Sequence, residues 1–204
     1  MRALDADVVV AAGVEVVRTH GWGGLSLRAV AARLEVTPMA LYRHVPDAAT
    51  LTGAVIESIA AGMVAVPRSG DVREDLSTWA HAARSALTPF PGVAARLLTV
   101  WFDVPSVLGM IEELLDIAYD DGLDGFEAVA AVNALFTYVL MRAEAEHTGR
   151  TAGAVRRSLA LAKSRRPLPR LHSLVSYYTT AEFDRHFEYG LQTLLSGIGS
   201  RRSA

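Results

Sequence analysis

Residues 26–46 hold the side chains whose types and spacing are most informative about chemistry. Arg28, Arg33 and Arg43 outnumber the single acid of this segment, Glu35, so its net charge is +2. A local excess of positive charge is what a protein needs to approach the phosphate backbone of a nucleic acid. The whole chain has a formal net charge of −2, so a nucleic-acid contact has to come from such a local patch.

The spacing of apolar residues places this segment on two short helices. It predicts one helix over residues 26–33 and another over residues 38–44, with Ser26 and Thr37 as their side-chain caps. A longer helix over residues 5–20 closes the small core that the pair forms. This arrangement leaves the N-terminal residues of the second short helix free to enter a DNA major groove, as in a helix-turn-helix.

The same segment resembles the tetracycline-repressor (TetR) family of transcriptional regulators. The residues that carry the resemblance are Gly21, Leu25-Ser26-Leu27-Arg28, Val30-Ala31, Leu34, Val36 and Leu41-Tyr42-Arg43-His44-Val45. A weaker similarity covers residues 183–198, and the chain between matches only in being helical. The resemblance implies an all-α fold with an N-terminal three-helix helix-turn-helix DNA-binding domain in residues 1–46. It further implies a connecting fourth helix in residues 47–66 and a helical C-terminal domain for ligand binding and dimerisation in residues 71–198.

The resemblance also implies which residues contact DNA. They are Ser26, Arg28, Thr37, Pro38, Met39, Ala40, Tyr42, Arg43 and His44. Tyr42 and His44 occupy positions that contact backbone phosphates at the end of the recognition helix. Arg28 occupies a base-contacting position and is suited to donate to guanine O6 and N7. Met39 and Ala40 are apolar, so they suit thymine methyl groups better than hydrogen-bonded readout.

Two positions depart from the family pattern. Glu35 stands in the turn between the two short helices, where family members usually have glycine, and a positive φ there would cost about 1 kcal/mol. Ala48 stands at the start of the fourth helix, where lysine is common, so one phosphate contact is lost. These departures favour the alternative that the chain is a helical protein-interaction module without DNA binding.

Helical periodicity continues through the remainder of the chain, and strand patterns are nearly absent. The predicted helices cover residues 48–64, 73–88, 93–102, 106–120, 124–147, 152–164, 168–178 and 181–197. Proline and glycine mark the breaks, which include Gly149 and a domain boundary at residues 67–70. Asp71 is expected to cap the first helix of the second domain.

The predicted helix over residues 124–147 carries no charge between positions 128 and 141. A helix that is apolar on all sides must be covered on all sides, and a second copy of the chain can cover what one protomer leaves exposed. The last predicted helix is also apolar, with Gly190 permitting close approach. Together they predict a homodimer through a four-helix interface, which matches the family's mode of dimerisation. The predicted interface residues are Val129, Val132, Phe183, Phe187, Gly190, Leu191, Leu194 and Leu195.

Asn133 and Thr137 are four residues apart, so they share one face of this apolar helix. One interpretation is that they form internal hydrogen bonds, with each other in the core or across the dimer. The other is that they line a mostly apolar ligand pocket together with Trp101, Phe102 and Phe136. The resemblance implies that a small, mostly hydrophobic effector releases a repressor of this family from a palindromic DNA operator.

Other classes of function find little support. The chain has no cysteine, no glycine-rich phosphate loop and no serine-nucleophile motif. Glu144, Glu146 and His147 cluster at the end of a predicted helix, which we interpret as a solvated terminus rather than a metal site. We therefore expect no enzyme activity, cofactor or metal. The longest uncharged run, residues 128–141, is shorter than the roughly 18 to 20 residues that cross a bilayer, so a cytoplasmic protein is expected.

Overall fold

The computed structural model of the protein describes residues 4–63, 68–148, 154–179 and 182–198. All regular secondary structure in these residues is helical, and no strand occurs among them, in agreement with the predicted all-α fold. The α-helices are α1 Ala6–His20, α2 Leu27–Arg33, α3 Pro38–Leu41, α4 Ala48–Ala60, α5 Val72–Leu87, α6 Val93–Val100, α7 Pro105–Asp120, α8 Gly125–Thr148, α9 Ala154–Ala162, α10 Pro169–Ser173, α11 Val175–Thr179 and α12 Phe183–Gly197, with 3-10 turns at Trp22–Gly24 and Trp101–Asp103.

Helix α2 begins at its predicted cap, but α3 differs from the prediction in two respects. The Ser26 side chain accepts a hydrogen bond from Ala29 N at 3.1 Å, as expected. The Thr37 side chain makes no capping hydrogen bond, so the predicted cap is wrong. Helix α3 also ends at Leu41 and continues only as a turn, because Pro46 prevents another helical turn from forming.

Helix α4 joins the three N-terminal helices to the remainder of the chain. The Asp47 side chain accepts a hydrogen bond from Thr50 N at 2.7 Å and so caps the helix. Helix α1 packs closely on α4, because a Cβ atom at Gly13 would lie only 2.5 Å from Val55 Cγ2. Helix α4 ends at Ala60, before the predicted position 64, and the predicted boundary residue Pro67 lies outside the described residues.

Helix α8 is the central helix of the C-terminal part, where it packs against α5, α6, α7 and α12. Its segment Gly125–His147 is long and apolar enough, by length and composition, to cross a membrane. The expectation that no apolar stretch reaches that length is wrong by this test, because the helix continues beyond the uncharged run, which still ends at Glu127 and Arg142. The pair formed by Val93–Asp103 and Pro105–Asp120 passes the same test only together, with a bend of 83°.

A buried ion pair joins the C-terminal end of α8 to α5. The Arg84 guanidinium donates to Glu146 Oε2 from Nη2 at 2.9 Å and from Nε at 3.1 Å, and to Asp184 Oδ1 at 2.6 Å. The Arg84 and Glu146 side chains are 12% and 4% exposed. The interpretation of this helix end as a solvated terminus is therefore wrong for Glu146, which is held by an arginine far away in the sequence.

The described residues also test the predicted cap of α5 and the helix predicted over residues 168–178. The Asp71 side chain accepts a hydrogen bond from Glu74 N at 3.0 Å, which confirms it as the cap of α5. The single helix predicted over residues 168–178 is two short helices, α10 and α11, separated at Leu174. The predicted break at Gly149 lies outside the described residues.

Hydrogen bonds among the described residues join the N-terminal helices to the C-terminal part. Trp22 N donates a hydrogen bond to Pro91 O at 2.7 Å, between the end of α1 and the turn before α6. Ser106 N donates to both carboxylate oxygens of Glu57 at 3.2 Å, and Ser106 Oγ donates to Glu57 Oε1. Glu57 of α4 therefore caps the N-terminus of α7, where a negative charge is favoured by the helix dipole.

Candidate nucleic-acid interface

The turn between α2 and α3 has the hydrogen bonds of a Schellman motif. Val36 N donates to Ala31 O at 3.0 Å, and Glu35 N donates to Ala32 O at 3.2 Å. Glu35 has a φ of +55°, and it is the only non-glycine residue with positive φ in the described part of the chain. The turn therefore keeps the left-handed conformation for which glycine is suited, and a glutamate with a Cβ atom occupies it.

Replacing Glu35 by glycine is expected to stabilise the protein. The change relieves a left-handed conformation that costs about 1 to 2 kcal/mol. Greater freedom of glycine in the unfolded chain offsets part of this gain. We expect a net increase of about 0.5 to 1 kcal/mol in the free energy of unfolding and a rise in Tm of about 1 to 4 °C, measured by thermal and urea denaturation. Glu35→Ala is the matched control, since it removes the charge but keeps the Cβ; equal stabilisation by alanine would show that backbone strain is not the cause.

Helix α3 presents a hollow on the protein surface. The hollow is lined by Leu4, Thr37, Met39, Ala40, Tyr42, Arg43 and His44. Leu41 and Val45 of the same segment are buried and fix it to the core. Met39 is 73% exposed, which is unusual for a large apolar side chain and typical of a contact surface. The structure thus brings six of the nine predicted DNA-contacting residues into one concave surface.

Leu4 lines the hollow although the sequence did not single it out. The only local signal was an apolar residue directly before Asp5, which accepts a hydrogen bond from Val8 N at 2.8 Å and caps α1. The remaining three predicted residues, Ser26, Arg28 and Pro38, are exposed but do not line the hollow. The Ser26 hydroxyl is occupied as the cap of α2.

The arginines of this region are not equivalent. Arg33 forms an ion pair with Glu15 of α1 at 3.7 Å, and Glu15 also pairs with Arg18 at 3.2 Å. Arg28 and Arg43 are exposed and form no ion pair in the described part of the chain. Their guanidinium groups are therefore free to meet phosphates or base edges.

Asp47, at the start of α4, keeps a negative charge close to this surface. Its carboxylate accepts a hydrogen bond from the backbone N–H of Thr50, and hydrogen bonding with Thr50 lowers the pKa of Asp47 below its usual value. The carboxylate therefore stays ionised at neutral pH.

Comparison with known proteins decides the family. Residues 66–202 match the family model of the tetracyclin repressor-like C-terminal domain, which is more than half of the chain. The chain belongs to the tetracycline-repressor (TetR) family. The predicted resemblance is thereby confirmed, and the family consists of regulatory transcription factors.

Relatives of this TetR-family protein match it over nearly its whole length. The HTH-type transcriptional repressor DrrR1 of Streptomyces coeruleorubidus is 29% identical, covering 96% of this chain and 77% of the relative. The class A tetracycline repressor protein of transposon 1721 from Escherichia coli is also 29% identical, covering 99% and 94% of the two chains. A crystal structure described as a possible TetR family regulator from Streptomyces coelicolor A3(2) superposes with a TM-score of 0.83 at 23% identity, covering 97% and 100%.

The predicted dimer residues of this TetR-family protein fall into two groups. Four of them, Val132, Phe187, Leu191 and Leu195, are buried within one protomer and do not present their side chains to a second copy. Val129 is exposed, and Phe183, Gly190 and Leu194 are half-buried. The outer face of α8 and α12 also exposes large side chains that the sequence did not single out, namely Phe126, Met141 and Tyr189.

Gly190 has a role inside the protomer. A Cβ atom at this position would clash with the ring and hydroxyl of Tyr138 on α8. The Tyr138 hydroxyl donates a hydrogen bond to Phe187 O at 2.8 Å. Gly190 therefore permits the close approach of α12 to α8 of the same chain.

The structure does not bring the five predicted effector residues together. Phe136 is buried, with its ring 6.0 Å from the Trp101 ring, and Phe102 stacks on the outer side of Trp101 at 3.7 Å. Asn133 and Thr137 are exposed on the outer surface of α8, in a shallow hollow with Phe126 and Met141. Within the described part of the chain neither Asn133 nor Thr137 makes a side-chain hydrogen bond, so they do not satisfy each other in the core.

Proposed function

We propose that this protein is a ligand-responsive transcriptional repressor that binds a palindromic operator as a homodimer in the cytoplasm. The observation that carries the proposal is the concave surface around α3, where exposed residues surround Met39 on a helix fixed by Leu41. The geometry of the preceding turn supports it, because Glu35 adopts the conformation of a helix-turn-helix despite its side chain. The two curated relatives are named as repressors, which supports the same function.

Two copies are needed for useful affinity. The segment 26–46 has a net charge of only +2, so a single copy makes few phosphate contacts. The unpartnered apolar face of α8, with Phe126 85% exposed, supplies the surface through which a second copy binds. Two-fold symmetry then places two copies of α3 about 34 to 36 Å apart, in successive major grooves.

The effector acts by favouring one of two arrangements of the dimer. Helix α4 lies between the DNA-binding helices and the C-terminal part, and Glu57 attaches it to α7. A small, mostly hydrophobic effector that binds better to the state with tilted α4 shifts the spacing of the two α3 helices and releases DNA. An effector with equal affinity for both states would change nothing.

Val129→Asp is expected to abolish dimerisation. Val129 is exposed on the apolar face of α8, and two carboxylates brought together across a two-fold axis repel each other. We expect a monomer by size-exclusion chromatography with light scattering, and operator affinity lowered by about 100-fold or more because avidity is lost. Leu108→Asp is the matched control, an exposed apolar residue on α7. A Val129→Asp protein that remains dimeric would place the interface elsewhere.

The function is tested by fluorescence anisotropy with labelled DNA from upstream of the gene. We expect saturable binding of a dimer to a palindrome, with an affinity that falls steeply as salt increases. Tyr42→Ala is expected to abolish binding, because Tyr42 is exposed at the end of the recognition segment. Tyr177→Ala on α11 is the matched control, since Tyr177 has a similar exposure and lies in the C-terminal part.

The same experiment separates the repressor from the alternative, a helical protein-interaction module. Two departures from the family pattern favour the module, since Ala48 loses a phosphate contact and Glu35 stands where glycine is usual. A folded protein without co-purified ligand that shows no DNA binding at low salt would contradict the repressor and support the module. Binding that is independent of salt would also contradict a phosphate-dependent interface.

A further inference from the structure

The charged residues of the C-terminal part are separated into two blocks. Residues 147–181 contain seven of the chain's 20 lysines and arginines and no Asp or Glu. Residues 97–141 contain eight of its 22 Asp and Glu and no lysine or arginine. The small net charge of the whole chain, −2, therefore includes a strongly basic segment and a strongly acidic one.

The basic segment forms a basic surface on α9, on α10 and on the turn between them. Five of its cations lie among the described side chains, and all five are exposed, namely Arg156, Lys163, Arg165, Arg166 and Arg170. None of these five side chains forms an ion pair or a hydrogen bond in the described part of the chain. Because like charges repel, so many unpaired cations on one surface favour an acidic partner.

The acidic segment forms an acidic surface on the second half of α7 and on the turn that leads into α8. Its exposed acids are Glu112, Glu113, Asp116, Asp120 and Asp124. Among these five, Asp120 alone has an ion pair in the described part of the chain, with Arg68. The other four carboxylates are available to the cations of another molecule.

The two surfaces lie at opposite ends of α8. The acidic surface leads directly into the first turn of this helix. At the other end, Arg84 joins Glu146 of α8 to Asp184 in the first turn of α12. His186 of α12 then donates from Nε2 to Tyr177 O of α11 at 2.9 Å, and α9 packs on α11. Helix α8 has 24 residues and is therefore about 35 Å long, so exposed charges at its two ends are screened from each other within one protomer.

An uncharged stripe along α8 joins the two ends. Its members recur every three or four residues and line one shallow hollow, namely Phe126, Ala130, Asn133, Thr137 and Met141. A second copy that lies on this stripe runs either parallel or antiparallel to the first. The parallel arrangement sets acid against acid and base against base, whereas the antiparallel arrangement sets each acidic surface against a basic one.

We propose that the basic surface of one protomer docks on the acidic surface of its partner, twice in each homodimer, with the two α8 helices antiparallel. The inference rests on the homodimer of the proposed function and adds to it the orientation of the two copies. A two-fold axis that crosses α8 near Asn133, in the middle of the stripe, produces this arrangement and repeats the contact on both sides. The opposite charges thereby select the antiparallel dimer, and the like charges disfavour the parallel one.

Charge reversal of each surface tests the proposal in the full-length protein. One triple variant carries Lys163→Glu, Arg165→Glu and Arg166→Glu, and the other carries Glu112→Lys, Glu113→Lys and Asp116→Lys. Each is expected to raise the dissociation constant of its homodimer by about 30-fold or more in analytical ultracentrifugation, because symmetry repeats the repulsion at both contacts. Arg96→Glu is the control, since it reverses an exposed arginine of α6 outside both surfaces and should leave the homodimer unchanged.

An equal mixture of the two triple variants separates docking from a general loss of structure. In the heterodimer the two reversed surfaces meet each other, and so do the two unaltered surfaces. We expect more than about nine tenths of the dimers to be heterodimers in native mass spectrometry, compared with about one half for random pairing. A loss of folding in either variant could not produce this preference.

The unaltered protein provides a measurement that does not depend on the variants. We expect the dissociation constant of its homodimer to rise about 10-fold between roughly 0.05 and 1 M NaCl, because salt screens exposed charges. An interface of apolar contacts alone would not weaken in this way.

Three results would overturn the proposal: a homodimer equally strong at high salt, undiminished dimerisation by both triple variants, or random pairing in their mixture. A basic surface that serves a nucleic acid or an anionic membrane instead would lose that binding in the Lys163, Arg165 and Arg166 variant while its homodimer stayed intact. Operator binding by a dimer without salt dependence would contradict the docking and leave the repressor standing. Heterodimer preference in a protein that binds no DNA would do the reverse.

Discussion

Arg28→Ala is expected to weaken operator binding by about 30-fold or more. Arg28 is exposed in the first turn of α2 and has no ion pair in the described part of the chain. A bidentate contact of an arginine with guanine contributes about 1 to 3 kcal/mol, and a dimer makes it twice, so about 2 to 6 kcal/mol is lost. Fluorescence anisotropy with the operator and with single-base variants measures both the affinity and the loss of base preference.

Arg33→Ala is the control in the same helix. Arg33 is paired with Glu15 at 3.7 Å, and an exposed pair of this kind contributes little to stability or to DNA binding. We expect its operator affinity to stay within about fivefold of the unaltered protein, since exposed pairs contribute at most about 1 kcal/mol. An Arg28→Ala protein with unchanged base preference and a smaller salt dependence would identify Arg28 as a phosphate contact instead.

Arg84→Met is expected to lower the free energy of unfolding by about 3 to 5 kcal/mol, because it removes the guanidinium that donates two hydrogen bonds to the buried carboxylate of Glu146. Glu146 is 4% exposed, and Arg84 also packs over the Phe187 ring at 4.6 Å. The change should therefore loosen the junction of α5, α8 and α12. Urea denaturation at a fixed protomer concentration measures the effect, since dimer stability depends on concentration.

Two further variants separate a lost charge pair from a general loss of packing. Adding Glu146→Gln to Arg84→Met removes the buried negative charge that Arg84 no longer neutralises and should restore a large part of the stability. Arg185→Met removes an exposed ion pair with Glu182, 3.4 Å apart, and should cost no more than about 1 kcal/mol. If the double variant were as unstable as Arg84→Met alone, the buried charge of Glu146 would not be the cause.

The first residues of α1, α2 and α4 could be predicted because the side chains that cap these helices act within a few residues. Asp5, Ser26 and Asp47 each accept a hydrogen bond from a backbone N–H three residues later, which needs no tertiary contact. Thr37 has a side chain suited to the same role but does not perform it. The sequence shows which residues are able to cap a helix, whereas the rotamer that a cap adopts depends on its surroundings.

The ligand site was less predictable than the DNA-contacting surface. Six of the predicted DNA residues come from one short segment, so local folding alone brings them together around α3. The predicted effector residues come from α8 and the turn after α6, and their separation depends on which side of α8 faces inward. Periodicity could not decide this, because apolar residues surround that helix on all sides.

Residue types and their spacing were sufficient for the all-helical fold and the helix-turn-helix, because both depend on interactions within a few residues. The family resemblance indicated that Glu35 stands where glycine is usual, and the structure showed its positive φ. Only the tertiary structure decided that Glu146 is buried against Arg84, 62 residues away, and that Gly190 accommodates Tyr138 of the same chain. It also decided which apolar residues of α8 lie in the core and which stay exposed. These outcomes depend on how helices distant in sequence pack, and the hydrophobic effect that drives packing has no direction of its own.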